Sequence, residues 1–211
     1  PGSRVAVGCF VHTCRDCAPC KSGQENYCEN GPLFTYNSED KAGRFTQGGY
    51  SSHIVVDENY VLRIPDGLSL ERTAPLLCAG ITTYSPLKHW NVGRGHRLGV
   101  VGLGGLGHMA VKFGNLFGAE VTVFSTSPLK REAALLLGAT TFVLTKERSA
   151  MDPLANSFDF IIDTVSANHD VDSILALLRR EGTLILVGAP GDPIPVSSFS
   201  LIMGRRSMAG S

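Results

Sequence analysis

The chain has 211 residues, 43% of them apolar and 18% charged, which is enough apolar material for one large or two small packed domains. Nineteen basic and nineteen acidic residues cancel, so composition makes no electrostatic case for nucleic-acid binding. The longest apolar region, Leu98 to Phe124, is interrupted by His108, Lys112, Asn115 and Glu120 and is rich in glycine, which argues against a membrane span and for a soluble, cytoplasmic protein.

The chain opens at Pro1 without Met, directly ahead of a strand-like Arg4–Gly8, and stops at Ser211 after another apolar stretch, residues 207–210. It therefore reads as a piece of something longer. The first third predicts short β-strands over Val5–Val11, His53–Val56 and Tyr60–Ile64, separated by turns such as Gly48-Gly49 and Pro65-Asp66-Gly67. Set among them, Cys14, Cys17, Cys20 and Cys28 place four of the six cysteines at metal-ligand spacing. Four thiolates at such intervals suit a closed tetrahedral Zn²⁺ site, which braces a fold and has no open position for chemistry. A [4Fe–4S] cluster is the rival reading, but its usual fourth cysteine follows after three residues and precedes Pro, whereas seven residues separate Cys20 from Cys28. Disulfides fit less well because no apolar signal segment precedes the cluster, and Cys17-Ala-Pro-Cys20 as a redox pair is disfavoured by the flanking cysteines.

Near residue 75 the texture changes to alternating apolar strands and helical patterns. Leu98–Val101 precedes a helix over Leu106–Phe117; Glu120–Phe124 precedes Pro128–Leu137; Phe158–Asp163 precedes Val171–Leu178; and Thr183–Val187 follows. Such alternation predicts an α/β fold with a parallel sheet covered on both faces. Between the first strand and helix lies Gly102-Leu103-Gly104-Gly105-Leu106-Gly107, a G-x-G-x-x-G turn in the strand-to-helix setting that makes it a dinucleotide fingerprint. The helix start near Gly105 would then receive a pyrophosphate on its free amides and positive dipole end. A glycine-rich turn serving packing alone is the plain alternative.

An NAD enzyme places Asp or Glu at the end of the next strand, against the ribose 2′-hydroxyl. Here that position holds Ser125, Thr126, Ser127, Pro128, Leu129, Lys130 and Arg131. Glu120 begins the strand and lies some 17 Å from its far end, at roughly 3.3 Å per residue. Hydroxyls with Lys130 and Arg131 suit a 2′-phosphate, so NADP(H) is the expected cofactor. The local reading, with Ser127 as a helix N-cap and Pro128 as the first helical residue, is compatible with this.

Together these residues resemble the zinc-dependent medium-chain alcohol dehydrogenases, and within them the cinnamyl-alcohol-dehydrogenase-like NADPH aldehyde reductases. The resemblance is carried by PGSRVAVG at 1–8, the four-cysteine lobe, GGYSSHIVV at 48–56, APLLCAGITTYSPL at 74–87, VVGLGGLGHMAVK at 100–112, FSTSPLKR at 124–131 and LVGAP at 186–190. It implies a partial GroES-like β-barrel domain with a structural zinc lobe over residues 1–80, and a Rossmann-type nucleotide domain, C-terminally incomplete, over 81–211. It further implies that Cys78 is a ligand of a second, catalytic zinc and that Thr82 lies against the nicotinamide. Val165, Val187 and Ala189 would line the nicotinamide-ribose pocket, and Leu103 to Leu106 would wrap the pyrophosphate. Taken alone, Cys78 beside an apolar helix start reads as a core residue.

The family's other two catalytic ligands, a cysteine and a histidine, correspond to positions upstream of Pro1, and Cys9 reads as core rather than as a substitute. The expected activity, interconversion of small-molecule alcohols and aldehydes by hydride transfer with NADP(H), therefore belongs to the longer parent. Relatives commonly pair into homodimers through the end of the nucleotide domain's sheet, which would put residues 207–211 near an edge. None of the six histidines reads as an acid or base: His108 is placed to touch phosphate, His89 ends a helix-like run, and His12, His53, His96 and His169 show no partner. Two other readings are a non-catalytic zinc-stabilised nucleotide-binding module, and a zinc-ribbon nucleic-acid binder, which the neutral charge disfavours.

Overall fold

A computed structural model describes residues 2–211. The chain divides between Cys78 and Ala79 into two compact units. In the first lie β1 (Val5–Val7), β2 (Phe10–His12), α1 (Ala18–Lys21), β3 (Leu33–Phe34), β4 (Tyr36–Glu39), β5 (Phe45–Gln47), β6 (Val61–Arg63) and α2 (Leu70–Thr73). Among the described residues its strands form three separate antiparallel ribbons, β1 with β6, β2 with β3 and β4 with β5.

The single strand expected over Val5–Val11 is broken because Thr35 captures its middle: the Thr35 amide donates to the Cys9 carbonyl (2.9 Å) and its hydroxyl to the Gly8 carbonyl (2.5 Å). The strand expected over His53–Val56 is absent. No ladder partner lies beside it among the described residues, and Val55 is wholly exposed. Without pairing, β-branched residues have no pleated surface to pack on. Tyr60, 8% exposed, anchors the base of the cysteine lobe through a 2.8 Å contact between its hydroxyl and that of Thr13. Arg15, held at φ 60°, stacks over the same ring and reaches Asp57 at 2.6 Å.

The second unit carries α3 (Ala79–His89), β7 (Arg97–Val101), α4 (Gly105–Leu116), β8 (Glu120–Ser125), α5 (Arg131–Leu136), β9 (Thr141–Leu144), α6 (Arg148–Met151), β10 (Phe158–Asp163), α7 (Val171–Leu175), β11 (Leu178–Leu186), α8 (Ser198–Ile202) and β12 (Ser207–Gly210). Its six strands are all parallel in the order β12-β11-β10-β7-β8-β9. That is the doubly wound arrangement, in which the chain reverses direction across the sheet between β7 and β10. The helix expected to run to Leu178 stops at Leu175, because Leu178 already pairs with Phe158 as the first residue of β11.

Alternation along each strand sends side chains to two cores. Leu98, Val100, Val121, Val123 and Ile162 pack on the face with Ala110 and Val111 of α4. Val101, Phe124, Ile161 and Leu184 pack on the face with Ile174 and Leu175 of α7. With both faces covered, strands can be apolar almost throughout, which is why they read as continuous runs. Leu98→Ala, at a side chain with no exposure, should lower unfolding free energy by about 2–5 kcal/mol. Leu116→Ala, at 74% exposure, should stay within about 0.5 kcal/mol of the parent in the same denaturation experiment.

Candidate functional site

In the first unit, Cys14, Cys17, Cys20 and Cys28 converge so that their sulfur atoms all lie within 4.8 Å of one another. Cys14 Sγ and Cys20 Sγ are 3.9 Å apart, close to the ~3.8 Å edge of a tetrahedron with 2.3 Å Zn–S bonds. All four thiols are unbridged, and Cys20 and Cys28 are buried. Backbone amides point at sulfur: those of Asp16 and Cys17 lie 3.4 Å from Cys14 Sγ, and that of Cys14 lies 3.5 Å from Cys28 Sγ. The Asp16 and Cys17 amides, with the Asn30 side chain, hold the Cys14 thiol down to about 5, favouring the thiolate a metal requires. Local chain conformation makes this convergence. Arg15 in the left-handed region turns the chain between Cys14 and Cys17, and Cys17 caps the short helix α1 that carries Cys20. The donor set and spacing fit a structural zinc.

Cys78 lies elsewhere in the same unit, exposed at the end of the turn Ala74–Leu77. Cys9 Sγ is 3.5 Å from the Leu77 carbonyl, and burial followed by the neighbouring Cys78 pushes the Cys9 thiol up. Among the described residues, the four-cysteine group is the only gathering of three or more His, Cys, Asp or Glu ligands. Cys78 thus offers one ligand where a catalytic zinc needs three, and the residues present do not by themselves fit that ion.

In the second unit the glycine turn follows β7 and opens α4. Gly102 adopts φ 85°, and a Cβ there would lie 2.9 Å from both Thr164 Oγ1 and Val165 Cγ2. A Cβ on Gly107 would lie 2.2 Å from the Gly102 carbonyl oxygen, so only glycine lets helix and strand approach this closely. Gly104 and Gly105 are different. They are exposed, and a Cβ on either would project into open space, the space a pyrophosphate would occupy above the helix start.

Beside this turn is a cavity of about 640 Å³ over the C-terminal ends of β7 to β10. Of the residues expected from sequence, Gly102, Leu103, Gly104, Ser125, Thr126, Lys130 and Val165 line it. Lys130 Nζ donates to the Leu103 carbonyl at 2.9 Å, which places its charge between the end of β8 and the glycine turn. Arg131 is not on the lining; its guanidinium stacks 5.0 Å over the Phe142 ring. Ser127, Gly105, Leu106, Gly107, Thr82, Val187 and Ala189 also lie off it. Ser127 precedes the turn Pro128–Lys130 without a side-chain cap, and Thr82 is half-buried on α3. Val187 follows β11 with its amide on the Asp163 carbonyl (3.0 Å), and the Ala189 amide faces Ser166 Oγ (3.4 Å).

Sequence reasoning missed the rest of the lining. Lys146 and Arg148 after β9, and Asn168, His169 and Asp170 after β10, all face the cavity. The signal was available in the rule that ligands bind beyond the carboxyl ends of parallel strands. His169, read as partnerless, has its Nε2 at 2.8 Å from Asp163 Oδ2. Burial pushes the Asp163 carboxyl up, against the opposing pull of the Val165 amide and His169. His108 Nδ1 is 2.6 Å from the Gly104 carbonyl, which ties the ring to the turn.

Comparison with known proteins gives this geometry a lineage. Residues 1–66 match the alcohol dehydrogenase GroES-like domain, and residues 105–211 match the zinc-binding dehydrogenase family. The chain is 55% identical over 210 residues to a probable formaldehyde dehydrogenase of Bacillus subtilis, covering 100% of itself and 60% of that protein. It is 54% identical over 211 residues to an NADP-dependent alcohol dehydrogenase C of Mycolicibacterium smegmatis, again covering 100% of itself and 60% of the relative. A Sorghum bicolor cinnamyl alcohol dehydrogenase superposes with TM-score 0.96 at 46% identity, over 99% of this chain and 60% of that one. The Helicobacter pylori counterpart, solved with NADP(H), gives 0.90 at 43%, over 100% and 60%. The chain thus spans about 60% of the length of the curated relatives it matches. With that family's model matched from Gly105 to Ser211, half of the sequence, the chain belongs to the zinc-binding dehydrogenases.

Proposed function

We propose that this chain supplies the NADP(H)-binding part and the zinc-braced lobe of an oxidoreductase that interconverts alcohols and aldehydes in the cytoplasm. The observation that carries the reading is the glycine turn opening onto a cavity whose next strand ends in Ser125 and Thr126, with Lys130 alongside rather than a carboxylate. The amides at Gly104 and Gly105 receive the pyrophosphate, helped by the dipole of α4. Ser125, Thr126 and Lys130 receive the 2′-phosphate, a dianionic group that charge-assisted hydrogen bonds favour over a bare hydroxyl. Thr82, Val165, Val187 and Ala189 are assigned to the nicotinamide end by resemblance to relatives, as is Cys78 to a catalytic metal whose other ligands are not among these residues. When bound, NADP(H) supplies or accepts the hydride. Cys14, Cys17, Cys20 and Cys28 hold a structural zinc, and a homodimer is the proposed assembly.

Lys130→Ala should weaken NADPH binding roughly tenfold or more while changing NADH binding about threefold at most, because NADH lacks the 2′-phosphate and feels only the lost tie to the Leu103 carbonyl. Fluorescence titration of both cofactors checks this, and equal losses for the two would refute the assignment. Purified protein should contain one zinc per chain by elemental analysis. Cys20→Ser or exhaustive chelation should remove it and lower the melting temperature, since zinc binding is coupled to folding of such lobes; a fully metal-free native protein would contradict the structural role.

A further inference from the structure

Asp163 ends β10 with its side chain only 2% exposed. Its two oxygens grip both ends of the loop that follows. Oδ1 accepts the Val165 amide at 3.0 Å, and Oδ2 meets His169 Nε2 at 2.8 Å. The other ring nitrogen, Nδ1, faces the Ala167 carbonyl at 3.0 Å. A carbonyl can only accept, so Nδ1 carries a proton, and a second proton lies between Nε2 and the carboxylate. Two residues of one loop, Val165 and His169, are thereby tied to one buried side chain, and Ala167 is tied to it through the His169 ring.

That loop is built into the cofactor cavity. At its start, Thr164 donates from its amide (3.0 Å) and its hydroxyl (2.7 Å) to the Val101 carbonyl, and Val165 leaves no room for a side chain on Gly102. Ala167, Asn168 and His169 form a wall shared by the 640 Å³ cavity and an adjoining one of about 370 Å³. Behind the wall two hydrogen bonds hold its middle, Asn168 Nδ2 to Asp192 Oδ2 at 2.7 Å and the Ala189 amide to Ser166 Oγ at 3.4 Å, so Asp163 fixes the ends of a loop whose centre is already tethered. The cavity it bounds runs from this loop past the glycine turn to the end of β8, where the adenosine ribose of a dinucleotide belongs.

We propose that Asp163 and His169 form a clasp that sets the 164–169 loop in the shape that seats the adenosine 2′-phosphate half of the cofactor, making His169 a positioning residue for nucleotide binding. The proposal rests on the NADP(H) reading above. Removing the imidazole leaves a buried carboxylate oxygen without its partner and frees the far end of the loop, so the wall relaxes into the cavity.

The test is calorimetric titration with 2′,5′-ADP, which contains the adenosine half alone, alongside melting temperatures. The parent should bind, His169→Ala should bind about tenfold or more weakly, and His169→Gln, whose amide can still donate to Asp163, should recover most of the loss. Asp163→Asn should bind within about threefold of the parent, because its amide can donate to a neutral ring while its oxygen keeps the Val165 contact. His169→Phe, which keeps a ring's volume without a hydrogen-bonding nitrogen, should show the same loss as the alanine variant and decides the matter if His169→Ala does not fold. If the parent fails to bind 2′,5′-ADP, the cofactor reading falls and the clasp with it. If the parent binds and His169→Ala binds equally well despite a lower melting temperature, the clasp alone is overturned. Loss in His169→Gln and Asp163→Asn as severe as in the alanine variant would likewise overturn it.

Discussion

The nucleotide unit depends on one close approach, that of the start of α4 to the end of β7. With a Cβ on Gly107 only 2.2 Å from the Gly102 oxygen, no residue with a side chain allows it. The approach does two things at once. It seats the helix on the sheet so that Ala110 and Val111 reach the core, and it aims the unpaired amides of the first helical turn at the crevice beside β8. Packing and anion binding therefore share one backbone conformation, and neither can be altered alone.

The two compact units reach order by different means. The second buries two apolar layers, one on each side of a six-stranded sheet. In the first, ribbons of two to four residues hold together around isolated anchors such as Tyr60, Thr35 and Ile64. A small core of this kind gains much from a cross-link, and four converging thiols are the cross-link its sequence provides.

Legibility followed the range of the interactions concerned. Strands β7, β8 and β10 are buried on both faces and could be read as apolar runs, and the glycine turn and cysteine spacing are local patterns with a single physical meaning. Strand β9 was missed because Thr141–Leu144 is short and mixed, β3 because its partner β2 lies far back in the chain, and the β4–β5 hairpin because its strands are short and largely polar. In the same way the place of Lys130 after β8 puts it on the cavity lining, while Arg131, one residue on, stacks over Phe142, a contact with no local signature. His169 lacked a visible partner because Asp163, six residues back at the end of a strand, becomes its neighbour only when the loop between them curls.

The strand order has a kinetic corollary. β7 must wait for β10, some sixty positions later in the chain, before the seam between them can zip, and long-range parallel pairings of this sort are slow to form. The crevice lies across that seam. A nucleotide lodged there would bridge the two halves of the sheet and, by binding only the folded form, hold its longest-range pairing more firmly as the carrier's concentration rises.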